Sequence, residues 1–363
     1  MELDMHYYGT YAMARAAGVR REVCREIAAA AQFVDDNGDK SSLELSDGAR
    51  LDVEATAHHT LNLRNLDPED QRQIWLPFHF LPGNSGEPYA ERLLCTKDSP
   101  VARKMIALNL EMLDQPFAPQ LLGITAHVYA DTFSHYGFSG VSARENRVIN
   151  GSIRFYDLSP EMTSYITAKA RRFKWTYHPC TFRQFIKSCG AEFFSRALGH
   201  GAVMTYPDRP YLKWDFVYEN APDKKRCPLR DNPATYLEGC AQLHQLFQRA
   251  AGARPDFAER AACMDFSRIE ATVKNILALQ APMAERIAAW RNAARHGLLF
   301  GTGAEEIPVY PENAWLDNQE ALANMADSRR APGLPAFRFY QAAAVHRTNI
   351  IRHLLPQHEL IVA

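Results

Sequence analysis

A histidine, an aspartate and a second histidine follow one another at four-residue intervals in the segment HVYADTFSH, as His127, Asp131 and His135. Positions four apart on an α-helix differ by about 40° around its axis, so the three side chains occupy one stripe of roughly 80°. Imidazole and carboxylate are ligands that zinc, manganese and iron accept. The spacing predicts a divalent-metal site with Asp131 able to bridge two ions. A hydrogen-bonded network, in which Asp131 orients two core histidines, is the alternative.

The helix that carries this stripe is predicted over residues 117–136, FAPQLLGITAHVYADTFSHY. It is apolar nearly all round, which is typical of a buried central helix. A carboxylate in such surroundings is costly unless it is paired or bound to a metal. The sequence therefore favours a metal over a chance arrangement of polar residues.

Two acids at a helix end and a histidine near the N-terminus are further candidates for this site. Asp35 and Asp36 close the predicted helix AAAAQFVDD, where negative charge opposes the helix dipole. A metal would compensate that charge, and an Asx turn with the following Asn-Gly is the alternative. His6 precedes the first predicted helix.

Three more histidines are weaker candidates. His58 and His59 are adjacent and point in different directions, so at most one of them is expected to reach a given ion. His79 lies among apolar residues in LPFHFLPG, a setting more typical of a core histidine than of a ligand.

A proline-bounded segment around residues 200–220 is the second region with candidate chemistry. It contains His200, Asp208, Arg209 and Tyr211. Arg209 and Tyr211 are candidates to hold an anionic substrate, and the segment is predicted to close one side of the pocket. A rigid lid or a packing role is the alternative.

Composition narrows the class of protein. The chain has 363 residues, with 41 basic and 42 acidic side chains and a net charge of −1, which argues against an overall basic, sequence-specific nucleic-acid binder. Seven cysteines include no CxxC pair, so no disulfide framework is expected. The N-terminus has no signal-like apolar run, and no stretch is long enough to span a membrane. We expect a soluble, cytoplasmic protein.

Helical patterns dominate the rest of the chain. Besides 117–136, we predict helices over 5–18, 22–34, 100–114, 160–173, 181–198, 234–251, 256–263, 266–297 and 336–354. Residues 43–53 predict a short β-hairpin that turns at Asp47-Gly48. The fold class is therefore mainly α. We expect one domain over 1–363, with metal-ligand segments in 1–140 and a loop-rich lid and C-terminal helices in 141–363.

These motifs resemble the zinc-dependent phospholipase C superfamily, in particular the branch that includes glycosylphosphatidylinositol-specific phospholipase D. The resemblance covers about the first 140 residues. It rests on His6 before a small-residue helix, on Asp35 at the end of a small-apolar run, and on the HxxxDxxxH helix after Gly123. The whole chain also resembles a bacterial family of uncharacterised proteins that share the DMHYYG, PFHFLPG and GHGAV–YPDRP segments.

The first resemblance implies a multi-helix, phospholipase C/nuclease-like zinc hydrolase that cleaves phosphoesters. Its implied metal ligands are His6, Asp35, one of His58 and His59, His127, the bridging Asp131, His135 and, for a further ion, His200. Asp35 or Asp36 would orient or deprotonate the attacking water. The sequence departs from the superfamily where Val34 replaces a proline and where Met204 replaces an acid; Asp208 is the nearest acid.

We therefore expect a metal-dependent hydrolase of a small anionic phosphoester, with zinc or another divalent ion such as manganese, iron or nickel as cofactor. Two alternatives remain at this stage. One is a nucleotide phosphohydrolase built on an adjacent His-Asp pair, although no such dipeptide occurs in the chain. The other is a non-catalytic protein with a structural metal site.

Overall fold

The fold is mainly α, as the sequence predicts, in a computed structural model that describes residues 1–38, 41–53, 55–58, 63–176 and 198–362. The longer helices are α1 (Thr10–Ala16), α2 (Arg21–Asp36), α3 (Pro100–Leu110), α4 (Ala118–His135), α5 (Pro160–Thr176), α6 (Asn232–Ala253), α7 (Phe266–Leu277), α8 (Met283–Arg295), α9 (Ala314–Ala323) and α10 (Pro335–Thr348). Short helices are Pro68–Asp70, Leu76–Phe78, Tyr89–Arg92 and Leu355–Gln357, and π-helical turns are Asp4–Gly9, Gln71–Trp75 and Asn349–Leu354.

The helix α4 lies at the centre of the molecule, and every one of its residues is buried. It packs most extensively against α2, and α6, α10 and α3 also contact it. Gly123 permits the close approach of α2: a Cβ atom there would lie 2.4 Å from the carbonyl oxygen of Ile27 and 2.6 Å from the Cβ of Ala30. The glycine thus brings the backbone of α2 against the metal-site face of α4.

Two antiparallel sheets accompany the helices. The predicted hairpin is confirmed as β1 (Ser41–Glu44) and β2 (Arg50–Val53), with Leu43 opposite Leu51. The second sheet was not predicted: β3 (Arg154–Tyr156), β4 (Lys213–Asp215) and β5 (Arg230–Asp231) pair in the order β3-β4-β5. Its strands have only two or three residues each, too few for a period-two pattern to stand out in the sequence.

Two predicted helices differ from the structure. Residues 256–263 form 3-10 turns at Pro255–Phe257 and Arg260–Ala262, because Ala258 instead pairs with Val19 in an antiparallel bridge. Residues 266–297 form α7 and α8, separated at Pro282, which lacks the N–H that a continuous helix needs. The helix predicted over 181–198 lies largely outside the described residues.

The hydrophobic interior has two parts. The larger cluster surrounds α1, α2, α4 and α6. The smaller one lies beside the β3-β4-β5 sheet and includes Phe138, Trp214 and Phe216. Within the described ranges, no helix combines the length and the hydropathy needed to cross a bilayer.

A buried ionic network ties α1 to the segment after α8. The Arg15 guanidinium donates to both oxygens of Glu305, at 2.7 and 2.9 Å, and also to Glu259. Arg21 donates to Glu305 as well. Burial alone would raise the pKa of Glu305, but hydrogen bonds from Arg15, Thr302 and Arg21 outweigh it and lower the pKa from 4.5 to about 2.

This network predicts a pH-dependent stability term. Because the folded pKa of Glu305 is depressed, its contribution is complete above pH 4.5 and is lost as the pH falls towards 2. Glu305→Gln should reduce the free energy of unfolding at pH 7 by about 1.5–3 kcal/mol, since the buried Arg15 then keeps only Glu259 as a carboxylate partner, and should flatten that pH dependence. Urea unfolding between pH 2 and pH 7 measures both effects.

The adjacent Glu306 is the matched control. It pairs with Arg291 and Arg295 at the surface, with 60 % of its side chain exposed. Glu306→Gln should cost less than about 1 kcal/mol. Equal losses in the two variants would contradict the assigned role of Glu305.

The contact at Gly123 predicts a second stability effect. Gly123→Ala should destabilise the protein by about 1–3 kcal/mol, because the new methyl group overlaps the backbone of α2. Gly252→Ala is the control: this helical glycine has open space around its Cβ direction, so alanine should stabilise by about 0.5–1 kcal/mol. Chemical denaturation distinguishes the two, and the idea fails if both variants are stabilised.

Candidate metal centre

The α4 stripe brings its three polar side chains together around Asp131. Oδ2 of Asp131 lies 3.3 Å from Nε2 of His127 and 3.4 Å from Nδ1 of His135. All three side chains are almost completely buried. The helix therefore presents one carboxylate flanked by two imidazoles, as the spacing predicts.

Backbone carbonyl groups fix the protonated nitrogen of four histidines. Because a carbonyl oxygen only accepts, the ring nitrogen beside it must carry the proton. The contacts are His127 Nδ1 to Ala31 O at 2.7 Å, His79 Nε2 to Thr56 O at 2.9 Å, His135 Nδ1 to His79 O at 2.8 Å and His200 Nδ1 to Met204 O at 2.6 Å. In a neutral ring the other nitrogen then carries a lone pair. At His135 that nitrogen, Nε2, lies 2.9 Å from Asp208 Oδ1, which also only accepts, so this contact requires either a second proton on the ring or a cation between the two atoms. Outer contacts of this kind typically orient metal-binding histidines.

Two of these ring nitrogens and two carboxylate oxygens lie close together around one point. His127 Nε2 and His79 Nδ1 lie 3.2 Å apart, and both lie 3.3–3.4 Å from Asp131 Oδ2. Oδ1 of Asp35 completes the group at 3.8 Å from His127 and 3.9 Å from His79. Two imidazole lone pairs that face each other at 3.2 Å repel unless a positive charge lies between them.

The spacing of these four atoms suits a tetrahedral cation. Zinc–nitrogen and zinc–oxygen bonds of about 2.0–2.1 Å place neighbouring tetrahedral ligands about 3.3 Å apart. Three of the measured separations match this value, and the two to Asp35 are about half an ångström longer. The residues present therefore fit a divalent ion.

His6 forms a second group with the remaining oxygens of the same carboxylates. Its Nε2 lies 3.3 Å from Asp131 Oδ1 and 3.8 Å from Asp35 Oδ2. Neither ring nitrogen of His6 has a hydrogen-bond partner, although the ring is fully buried and stacks on His127 at 3.7 Å. It lies on the π-helical turn Asp4–Gly9, a distortion frequent at functional sites. An orphaned buried imidazole beside two carboxylates is the expected setting for a metal ligand.

A third group joins α4 to the segment after residue 198. Nε2 of His135 lies 2.9 Å from Asp208 Oδ1, and Nε2 of His200 lies 3.4 Å from Asp208 Oδ2. These three residues meet the distance requirement for a shared ion, and so do two sets in the groups above, which are His6, His127 and Asp131, and Asp35, His79 and His127. His200 thus contacts the carboxylate of Asp208, whereas Met204 offers it only a backbone carbonyl oxygen.

The electrostatics of the centre match its ligand chemistry. Burial, with the neighbouring His127 ring and the N-terminal ammonium, lowers the pKa of His6 to about 3, so the His6 ring is neutral at pH 7. Burial also lowers the pKa of His200 to about 4, against the opposing charge of Asp208. Burial alone would raise the pKa of Asp131, but His135, the ammonium, His127 and His6 hold it well below its usual range. His6 and His200 are therefore neutral at pH 7, beside the ionised carboxylates of Asp131 and Asp208.

A cationic group already lies between the two buried carboxylates. The amino group of Met1 donates to Asp131 Oδ1 at 2.7 Å and lies 3.4 Å from Asp208 Oδ1. Burial opposes its charge, but the two carboxylates and Asp35 raise the pKa of this ammonium to about 11. The carboxylates of Asp131 and Asp208 therefore already have one cationic partner, the N-terminal ammonium group.

Two of the candidate ligands are partly exposed to solvent. The Asp35 side chain is 32 % exposed and that of His200 18 %, whereas His6, His127 and Asp131 are completely buried. A small molecule would therefore approach at Asp35 and His200.

Several predicted site residues lie elsewhere. His58 pairs with Asp70 at 3.1 Å and belongs to none of the three groups. His59 lies outside the described residues. Asp36 uses Oδ1 to accept from Gln32 and Oδ2 to accept from Tyr310, so neither of its oxygens joins the centre.

His79 is the residue that sequence reasoning underrated. Its apolar neighbours indicated a core histidine, and it is buried, but Nδ1 reaches both Asp131 and Asp35. It follows the short helix Leu76–Phe78, and no periodic pattern connects that helix to α4. The only indication in the sequence was that residue 79 is a histidine, and the chain contains thirteen histidines.

The predicted substrate residues form a small cluster beside Asp208. Nη1 of Arg209 donates to the Tyr211 hydroxyl at 3.3 Å, and its Nε and Nη2 donate to Thr205 Oγ1 at 3.3 and 3.2 Å. Arg209 is 4 % exposed. Among the residues that the structure describes, no carboxylate forms an ion pair with it.

Residues 1–354 match a family described as a family of unknown function, DUF6765. The chain belongs to this family. Comparison with curated proteins and with solved structures finds no match. The expected resemblance to an uncharacterised family is thereby confirmed, and it covers nearly the whole chain.

The convergent lone pairs predict a strong dependence of metal binding on His79. His79→Gln keeps a donor for Thr56 O but removes a nitrogen ligand. It should weaken binding of one zinc equivalent by more than the roughly 10–100-fold typical of a lost outer-shell partner. Calorimetric zinc titration measures this change.

His244→Gln is the matched control, because His244 also uses Nε2 to contact a backbone carbonyl at 2.9 Å but lies in no metal group. Zinc binding should be unchanged in this variant. Equal weakening in both variants would contradict the assignment of His79.

Proposed function

We propose that this protein is a metal-dependent hydrolase of phosphoesters. The observation that carries the proposal is the convergence of His79 Nδ1, His127 Nε2 and Asp131 Oδ2 within 3.2–3.4 Å of one another, with both rings held by backbone carbonyls. We take zinc as the first candidate, and manganese, iron or nickel as others that this nitrogen and oxygen set accepts.

The ligand count favours catalysis over a structural role. Structural zinc sites are closed by four protein ligands, whereas catalytic sites have three and leave a position for water. His6, His127 and Asp131 form one set of three such residues, and His135, His200 and Asp208 form another. Both groups also include a partly exposed member or adjoin one, so a substrate has a route to them.

The chemistry that a divalent ion supplies here is a bound water with a pKa near 7 and charge neutralisation of phosphate oxygens. The chain contributes the rest. Asp131 and Asp35 each offer one oxygen to the His79–His127 group and the other to His6, which sets the separation of the two positions. Asp35 is the exposed carboxylate and orients the attacking water through its accessible edge.

Asp36 has a different part in this proposal. Its two oxygens accept from Gln32 and from the Tyr310 hydroxyl. These bonds hold the end of α2 and so position the neighbouring Asp35, which is left as the carboxylate that would orient the attacking water.

An anionic substrate suits both sides of the pocket. Arg209 offers a buried guanidinium with only hydroxyl acceptors, and Tyr211 adds a phenolic donor. A planar guanidinium fork matches two phosphate oxygens. The resemblance of the HxxxDxxxH helix, His6 and Asp35 to the zinc-dependent phospholipase C superfamily supports a phosphoester in preference to other esters.

Elemental analysis and a substrate panel test the proposal. The purified protein should contain stoichiometric divalent metal and should hydrolyse either a nitrophenyl phosphodiester or a nitrophenyl phosphomonoester. Asp131→Asn should lose metal and lower kcat/KM by at least the roughly 10²–10³-fold that loss of one electrostatic stabiliser costs. Protein that is free of metal and is not activated by zinc or manganese would overturn the proposal.

Asp70→Asn is the matched control, since Asp70 is a buried carboxylate that contacts His58 outside the three groups. It should keep both metal content and activity. Stoichiometric metal without turnover of any ester would instead favour the non-catalytic alternative, a structural metal site.

A further inference from the structure

Arg230 is a buried cation without a buried anion. It lies on β5, is 3 % exposed, and forms no ion pair with a carboxylate of the described residues. An unpaired charge in the interior is costly. Neighbouring groups must therefore supply negative electrostatic potential that offsets the charge of the guanidinium group.

The compensating groups are the last carbonyls of α4. Nη2 of Arg230 donates to Ser134 O at 2.6 Å, and Nη1 donates to Tyr136 O at 2.7 Å. The carbonyl end of a helix carries partial negative charge and has unsatisfied acceptors, which a cation at this position stabilises. The guanidinium carbon also lies 3.6 Å from the centre of the Tyr136 ring and 5.2 Å from that of Trp214.

The two carbonyls that Arg230 holds flank His135. That histidine has its own restraints: Nδ1 donates to His79 O at 2.8 Å, and the ring stacks on Phe80 at 4.7 Å. Its Nε2 then reaches Asp208. These contacts fix the ring only if the last turn of α4 is itself fixed, because the helix ends at this residue.

We propose that Arg230 is a positioning residue for the His135–His200–Asp208 group, which it controls by capping α4. This role also involves the small sheet, because β5 pairs with β4 and thereby places Arg230 at the end of α4. The proposal rests on the metal centre described above, but it requires no hydrolytic activity.

Two substitutions at Arg230 separate the effect of the forked guanidinium group, which donates to two carbonyls, from the effect of its positive charge. Arg230→Lys keeps the charge but loses the fork that spans both carbonyls, and Arg230→Met keeps the bulk without the charge. Both variants are examined by cobalt(II) titration followed by visible absorption. The affinity for one cobalt equivalent should fall by about 10–100-fold in each, as for a lost outer-shell partner. The equivalents bound through His79, His127 and His6 should keep their affinity.

Ile269→Ala is the control for general destabilisation. This buried residue of α7 should lower stability by about 2–5 kcal/mol without affecting one metal group selectively. If the Arg230 variants weaken all equivalents in parallel, as Ile269→Ala does, the positioning role is wrong. Native-like affinity in both Arg230 variants would also overturn it.

A second measurement tests the same geometry without metal or turnover. Nitrogen-15 NMR of histidine-labelled protein reports which nitrogen of His135 carries the proton. Native protein should show an ordered Nδ1–H of His135, and in Arg230→Met this Nδ1–H signal should be broadened or lost while that of His127 is kept. An unchanged His135 signal would overturn the proposal even if the native protein binds no metal and hydrolyses no ester.

Discussion

The structure depends on one buried carboxylate. Asp131 has no exposed surface, and its helix is buried along its whole length. An ionised carboxylate there is tolerated only because positive or cation-binding groups surround it. His6 reaches it from the N-terminal turn, His79 from the segment after Leu76–Phe78, and His127 and His135 from its own helix. Distant parts of the chain are thus organised around a single side chain.

The close packing of α2 against α4 determines which candidate ligand atoms lie near the Asp131 carboxylate. Gly123 lets α2 approach α4 so closely that the carbonyl oxygen of Ala31 accepts from His127 Nδ1. The last turn of the same helix α2 carries Asp35, which faces His127 and His79. One helix–helix contact therefore sets both the protonated nitrogen of a histidine and the position of a carboxylate. Backbone carbonyls perform this task at four histidines, and a backbone acceptor cannot be removed by a side-chain substitution.

Sequence reasoning recovered what is local and periodic. The helix of His127, Asp131 and His135 follows from a four-residue spacing, and the β-hairpin follows from its turn residues. It did not recover His79, whose approach to Asp131 depends on how separate segments pack. It also missed the short sheet and the bridge of Val19 with Ala258, where tertiary pairing overrides the helical preference of an alanine-rich segment. The ligand partner of His200 is Asp208, eight residues later across a turn, which helical spacing does not indicate.

The net charge of the chain is a poor guide to the charge of its pocket. Three carboxylates, Asp35, Asp131 and Asp208, contribute about −3, and two divalent ions would already exceed that sum. With the proposed ions bound, the centre would therefore attract anions although the chain as a whole carries −1. Arg209, next to Asp208 in sequence and without an ion pair in the described structure, adds to the same field. Selectivity for an anionic ester therefore does not require a basic surface, because buried ligands and the ions that they hold can create it locally.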